Sequence, residues 1–276
     1  MGRRGGHQRI SLVSRVPRQV RAVAAKLAGR VGHYHLVSSI SAYVDLVNGG
    51  SEETAPLQVL ADPNLEAITG DTYGGLKALC EQAAQAVFGE RCLISRPGLI
   101  VGPFDPTGRF TWWVQRLARK DGISDVLAPG SPDSPVQFID ARDLAAWTLL
   151  QAERTTSGVY NLNGPSRPLT MGEFLQSARD ALQPNANLVW VDEAFLKDQG
   201  VAAWSDLPVW LPSDSFDMHR TPTAKAQATG LTCRPLIETL IDTWAWCQVA
   251  QDPARPGVGL TAEREASLLA AWRERV

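Results

Sequence analysis

The stretch Val37-Ser-Ser-Ile-Ser-Ala-Tyr43, together with Tyr73-Gly-Gly-Leu-Lys77 downstream, decides the fold. Residues 33 to 37 read as a short buried strand that ends in Ser38-Ser39. Residues 73 to 88 read as the long helix that follows. On a helix Tyr73 and Lys77 stand four residues apart and share one face. A free phenol has a pKa of about 10 and is a poor general base near neutrality. An ammonium beside it favours the phenolate and lowers that value by roughly 1 to 3 units. A serine hydroxyl at an adjacent strand end can hydrogen-bond the oxygen whose proton the phenol handles. Surface Tyr and Lys also pair as a plain solvated helix face. The strand ending in two serines is what favours chemistry: proton transfer at a carbinol or carbonyl, the partner step of hydride transfer.

Working outward, Pro17 opens a helix with Val20, Val23, Ala24 and Leu27 on one stripe, closing near Gly29. Residues 44 to 72 are a polar connection through Asn48-Gly49-Gly50, and Asp71 or Thr72 caps the Tyr73 helix, which ends at Gly89. Residues 91 to 96 form the next strand, and 97 to 108 a loop of Gly, Pro and Asp. Loops at the carboxyl ends of parallel strands are where ligands bind in open sheets. A helix over 109–120, strands at 125–128 and 136–139, a helix capped by Asp140 and a strand at 158–162 follow. Thr170 and Glu173 carry a capping-box signature for a helix to about 182.

Beyond this the character changes. Six of the nine tryptophans lie between 190 and 272, among short helices broken by Pro208, Pro212, Pro222 and Pro235. The last segment, 261–275, is an amphipathic helix with Leu268, Leu269 and Trp272 inward. The expected layout is an aperiodic, disordered arm over 1–15, a parallel-sheet core over 16–165 and a smaller helical lobe over 166–276.

At 276 residues and 44% hydrophobic, the chain can bury a full core. A net charge of −2 argues against a nucleic-acid-binding protein. The charge is uneven: residues 1 to 30 hold eight Arg or Lys, and no acid appears before Asp45. Such a start suits a transit peptide or a binding arm, but a solvated helix face behind a disordered arm is the favoured reading. Cys80, Cys92, Cys233 and Cys247 show no CxxC spacing, so neither a zinc site nor a disulfide framework is indicated. Four scattered thiols fit a reducing cytoplasm. No apolar run approaches membrane-spanning length. His33, His35 and His219 lack metal-ligand spacing with acids, and no metal is assigned.

Four segments occur in one order: Val37 to Tyr43, Tyr73 to Lys77, Arg96-Pro-Gly-Leu-Ile-Val-Gly-Pro103 and Phe138-Ile-Asp-Ala-Arg-Asp-Leu-Ala145. In this the chain resembles the NAD-dependent epimerase/dehydratase branch of the short-chain dehydrogenase/reductase superfamily, over about residues 16 to 250. The resemblance implies an α/β fold: a Rossmann-like parallel sheet with a smaller C-terminal helical substrate lobe. It implies NAD or NADP as cofactor, a small-molecule substrate and a homodimer as the candidate assembly. By it, Ser39, Tyr73 and Lys77 are catalytic: Ser39 polarises the substrate, Tyr73 is the acid/base, and Lys77 holds the cofactor ribose and lowers the phenol's pKa. Ser38, Lys77, Pro97 and Gly98 would face the cofactor. Ser41, Arg109 and Arg142 are the candidate substrate contacts, and Arg167 is a further cation able to meet an anion.

Two departures from the family pattern matter. Neither Gly2-Arg-Arg-Gly5-Gly6 nor Gly29-Arg-Val-Gly32 makes the strand, glycine-rich turn and helix that seat a pyrophosphate. The expectation is an N-terminally truncated member lacking the first three or four strands. The 33–39 strand then presents an unpaired edge. Val136 stands where nucleotide-sugar epimerases commonly carry an arginine, and Asp140 replaces a histidine, which leaves room for another substrate. The competing reading is a non-catalytic remnant or binding module that does not bind cofactor by itself.

Overall fold

The computed structural model describes residues 8–11, 15–46, 51–119, 125–165, 167, 169–250 and 255–275. The Asn48-Gly49-Gly50 turn and residues 1–7 and 12–14 of the expected arm lie outside these. In chain order the first elements are strand β1 (Gln8–Ser11), helix α1 (Pro17–Leu27), β2 (His33–Val37), α2 (Gly70–Phe88), β3 (Cys92–Pro97), β4 (Leu99–Val101) and α3 (Arg109–Leu117). Next come β5 (Asp125–Pro129), β6 (Pro135–Val136), β7 (Phe138–Asp140), α4 (Ala141–Arg154), β8 (Gly158–Leu162), β9 (Leu169–Thr170) and α5 (Met171–Leu182). The chain closes with β10 (Asn187–Val191), α6 (Glu193–Asp198), α7 (Ala224–Ala228), α8 (Leu236–Val249) and α9 (Ala262–Arg275).

The chain divides into two compact units. The first comprises Met1–Leu99, Asp143–Ser166 and Thr221–Thr232, and the second Ile100–Arg142, Arg167–Arg220 and Cys233–Val276. In the first, four strands lie in the order β1-β2-β3-β8, every neighbour parallel. Parallel neighbours need long crossovers, and helices supply them. Side chains alternate between the two faces of a strand. Tyr34, Leu36 and Ile94 therefore meet Val20 and Ala24 of α1 and Ala84 and Phe88 of α2. Tyr34 and Phe88 stack with centroids 4.6 Å apart. His33 and His35 take the opposite face, where His35 meets the edge of Trp147 from α4. Each fully buried aliphatic side chain here stabilises the unit by roughly 1.5–3 kcal/mol.

The β1–β2 ladder corrects two expectations. Residues 8–11 pair with 33–36 in parallel, so that part of the arm is ordered and β2 is not an edge. Four residues are too few to show a period, which is why this strand escapes a sequence reading.

The second unit contains the parallel pair β5-β10, the pair β4-β7 and the antiparallel pair β6-β9. Its core is aromatic: Phe110 and Trp113 of α3 and Phe138 of β7 all contact the ring of Phe174 on α5. The Thr170–Glu173 capping box forms as read, with Glu173 N to Thr170 Oγ1 at 3.1 Å and Thr170 N to Glu173 Oε2 at 2.9 Å. Leu268 and Leu269 of α9 are buried, and Trp272 lies against Phe195. The fold is α/β and Rossmann-like, as expected.

Candidate active site

The site is built at the carboxyl end of β2. Ser38 N donates to Ser95 O at 2.6 Å, so the ladder with β3 continues to the last residue before the turn. Ser39 then caps a single 3₁₀ turn, Ile40–Ala42: its Oγ accepts from Ser41 N at 3.1 Å and donates to Ser41 Oγ at 3.2 Å. The segment around Gln58 clamps this turn. Gln58 N donates to Ala42 O at 2.8 Å, and its side-chain amide donates to Ser41 O at 3.1 Å and Tyr43 O at 3.2 Å.

Helix α2 arrives on top of the clamp. Thr69 caps it, bonding reciprocally with Thr72, so the helix starts a few residues before Tyr73. A Cβ on Gly74 would stand 2.1 Å from Ser41 O, and one on Gly75 would stand 2.5 Å from Leu60 Cγ. The two glycines of Tyr73-Gly-Gly-Leu-Lys77 are thus required by close approach. They seat the first turn of the helix, with half-buried Tyr73, directly on the turn that bears Ser39 and Ser41. One turn further, Lys77 is buried and its Nζ donates to Val37 O at 2.9 Å, two residues before Ser39. Burial pulls the Lys77 pKa down to about 8 against the opposing pull of Cys80 and Glu81.

Pro97 closes β3. Gly98 N donates to Leu162 O at 3.1 Å, and a Cβ at Gly98 would stand 2.3 Å from the Asn163 amide nitrogen. Ser38, Ser39, Ser41, Tyr73, Lys77, Pro97 and Gly98 all belong to the first unit; Arg109 and Arg142 belong to the second. Arg109 gives its Nε to Trp204 O at 3.2 Å and lies over the Trp204 ring; burial lowers its pKa. Arg142 is bound on Nε and Nη2 by Asp140, at 2.9 and 2.7 Å, and on Nη1 by Asp242. Its bonds to Asp140 raise its pKa further. Arg167 pairs with Glu173 at 2.7 Å.

Sequence reasoning missed the polar groups behind the site. Arg96 and Glu81 form a buried, two-point ion pair, with Nε to Oε1 at 3.0 Å and Nη2 to Oε2 at 2.6 Å. Ser38 Oγ donates to the same Glu81 at 2.5 Å. Tyr43 gives its hydroxyl to Asn161 Oδ1 at 2.7 Å, and burial raises its pKa. The position of Glu81, one turn beyond Lys77, was the available signal.

No protein-family model and no curated protein matches this sequence. Solved structures do share its fold. A candidate epimerase from Burkholderia cenocepacia J2315 has a TM-score of 0.59 at 20% identity, over 87% of this chain and 74% of that one. UDP-N-acetylglucosamine 4-epimerase from Bacillus cereus gives 0.57 at 15% identity, over 86% and 71% of the two chains. UDP-glucuronic acid 4-epimerase from the same organism, solved in complex with NAD, gives 0.56 at 14%, over 83% and 66%.

This chain shares the fold of these epimerase structures. Within that fold the described sheet is a one-way series: β1-β2-β3-β8 contains no reversal of strand order. The connection from β1 to α1, Leu12 to Val16, holds no glycine, and α1 begins at a proline without a side-chain cap. Among the described residues no group of three or more His, Cys, Asp or Glu is placed to hold a metal. No described helix is long and apolar enough to cross a membrane.

Proposed function

We propose that this protein is an NAD(P)-dependent oxidoreductase or epimerase acting at a carbinol or carbonyl of a small molecule, with Tyr73 as acid/base. The observation that carries this reading is the Lys77 ammonium bound to Val37 O at 2.9 Å, beneath a helix turn pressed onto Ser41. Ser39 orients the substrate oxygen, Tyr73 exchanges its proton, and Lys77 would hold the cofactor ribose. A nicotinamide, when bound, would supply or accept the hydride. Ser38, Lys77, Pro97 and Gly98 would line its ring and ribose, and Ser41 would meet the substrate. Arg109 and Arg142 stay as candidate anion contacts, although each already has partners within its own unit.

The fit is one-sided. Dinucleotide pyrophosphates sit where a doubly wound sheet reverses its strand order, on a glycine-rich turn before a helix. The described strands offer neither feature, so this end of the cofactor has no seat among them. That observation favours the second reading, a binding module that does not hold the cofactor alone.

Fluorescence titration with NADH and NADPH separates the two. Saturable quenching at micromolar cofactor supports the enzyme, and no binding at millimolar cofactor supports the module. For the enzyme, Tyr73→Phe should lower turnover on a panel of alcohols and sugar nucleotides by about 10² or more. Turnover that survives in Tyr73→Phe removes Tyr73 from the mechanism.

A further inference from the structure

Glu81 stands one helical turn beyond Lys77 and two beyond Tyr73, so the three side chains project along one face of α2. Its carboxylate is enclosed and receives three donors: Ser38 Oγ, Arg96 Nε and Arg96 Nη2. Ser38 follows the last residue of β2, and Arg96 directly precedes Pro97 in β3. One carboxylate therefore ties the helix to two neighbouring strands where the proposed site begins. Arg96 extends the clasp outward, with Nη1 on Glu53 O at 3.1 Å and its guanidinium 4.6 Å from the Tyr43 ring centre. Glu53 and Asn161 continue it, Asn161 N donating to Glu53 Oε1 at 3.0 Å.

Stability alone is a poor account of this pair. Replacing a buried ion pair by apolar side chains of similar volume is often neutral or stabilising. We propose that Glu81 is a positioning residue of the site: it fixes Ser38 and Arg96 at the two strand ends and sets the field in which Lys77 holds its proton. This rests on the reading of Lys77 as part of the site.

Among the described residues, Cys80 and Glu81 on the same helix favour the charged Lys77 amine, and Arg15, just before α1, opposes it. Burial pushes the Cys80 thiol up to about 11, so it carries no charge near neutrality. Glu81 is then the only negative charge among these neighbours. Without it, Arg15 is the charge left acting on the enclosed ammonium among these neighbours.

Heteronuclear NMR of the lysine Nζ groups, with the Lys77 signal assigned through Lys77→Arg, reads the titration directly. In the unaltered protein Lys77 should titrate near pH 8. Glu81→Gln should lower that midpoint by roughly half a unit or more, the size expected for losing a nearby opposite charge. Should Glu81→Gln fail to fold because Arg96 is stranded, Glu81→Gln/Arg96→Met leaves no unpaired charge and must show a lowering too. A Lys77 midpoint unchanged in whichever variant folds overturns the proposal and leaves the pair a purely structural clasp. The measurement needs no turnover. Loss of activity in Tyr73→Phe with an unmoved Lys77 would sink this inference alone, and the converse result would sink the catalytic reading alone.

Discussion

Gly74 and Ser41 touch: a Cβ on Gly74 would lie 2.1 Å from the Ser41 carbonyl oxygen. The contact fixes how far the helix bearing Tyr73 and Lys77 stands from the turn bearing Ser39.

Gly74→Ala sets two effects against each other. Alanine gains about 1 kcal/mol of helix propensity over glycine. Overpacking against a backbone atom that cannot rotate away costs about 1–3 kcal/mol and should win. The urea midpoint should fall for Gly74→Ala, yet hold or rise for Gly70→Ala, where nothing lies within 4 Å of the new methyl group. Equal midpoints would mean that the helix rides higher than described.

Gln58→Leu keeps the volume but removes the donor shared by Ser41 O and Tyr43 O. Leaving half-buried carbonyls short of a partner costs about 1–3 kcal/mol. Stability should drop within that range, and the Val44 amide, bound to Pro56 O at 3.0 Å, should exchange hydrogen faster. Unchanged exchange at Val44 would refute the clamp.

His35 is enclosed, with Nε2 on Ser95 Oγ at 2.9 Å; burial, with His33 adding to it, lowers its pKa to about 4. A lowered histidine pKa means that the unfolded chain binds the proton first. Stability is therefore intact above about pH 6.5 and is lost as pH falls toward 4, by roughly 3 kcal/mol for a shift of this size. His219 in the second unit, also lowered to about 4 by burial, adds a loss of the same sign. His35→Gln should flatten the fall measured by urea unfolding at a series of pH values. A slope equal to that of the unaltered protein would show that His35 does not titrate in this way.

Asp140 accepts from Arg142 N, Nε and Nη2 and from Thr239 Oγ1 at 2.8 Å. Burial pushes its pKa up, but these bonds outweigh it and hold it below the usual carboxylate range. The stabilisation is present above about pH 4 and is lost as pH falls through the lowered value. Breaking a buried pair costs 3–5 kcal/mol; because Arg142 is partly exposed, Asp140→Asn should cost less, about 2 kcal/mol. A thermal midpoint within a degree of the unaltered protein would contradict this.

What a sequence reader sees is set by distance along the chain. Tyr73 and Lys77 are legible because helical spacing alone puts them on one face, and the Thr170–Glu173 box because it is entirely local. The start of α2 is hidden by Gly70, a poor helix former at its first position, so the sequence points to Asp71 or Thr72 as the cap instead of Thr69. Strand β10, paired with β5, vanishes in a tryptophan-rich stretch that reads as helical. Nothing in the sequence joins Glu81 to Arg96 until β3 returns beside α2. Gln58 shows nothing at all, since its partners are carbonyl groups.

The first unit is stitched from three separate runs of chain, and β8 pairs with β3 only through Leu93 to Pro97 and Gly158 to Leu162. During synthesis, a nascent chain that has reached Leu99 already carries Ser39, Tyr73 and Lys77 but not the strand that flanks β3. Lys225, whose Nζ binds Val159 O at 2.7 Å, emerges later still. The ribosome must therefore deliver the first stretch of the second unit before the residues proposed for catalysis gain their finished support.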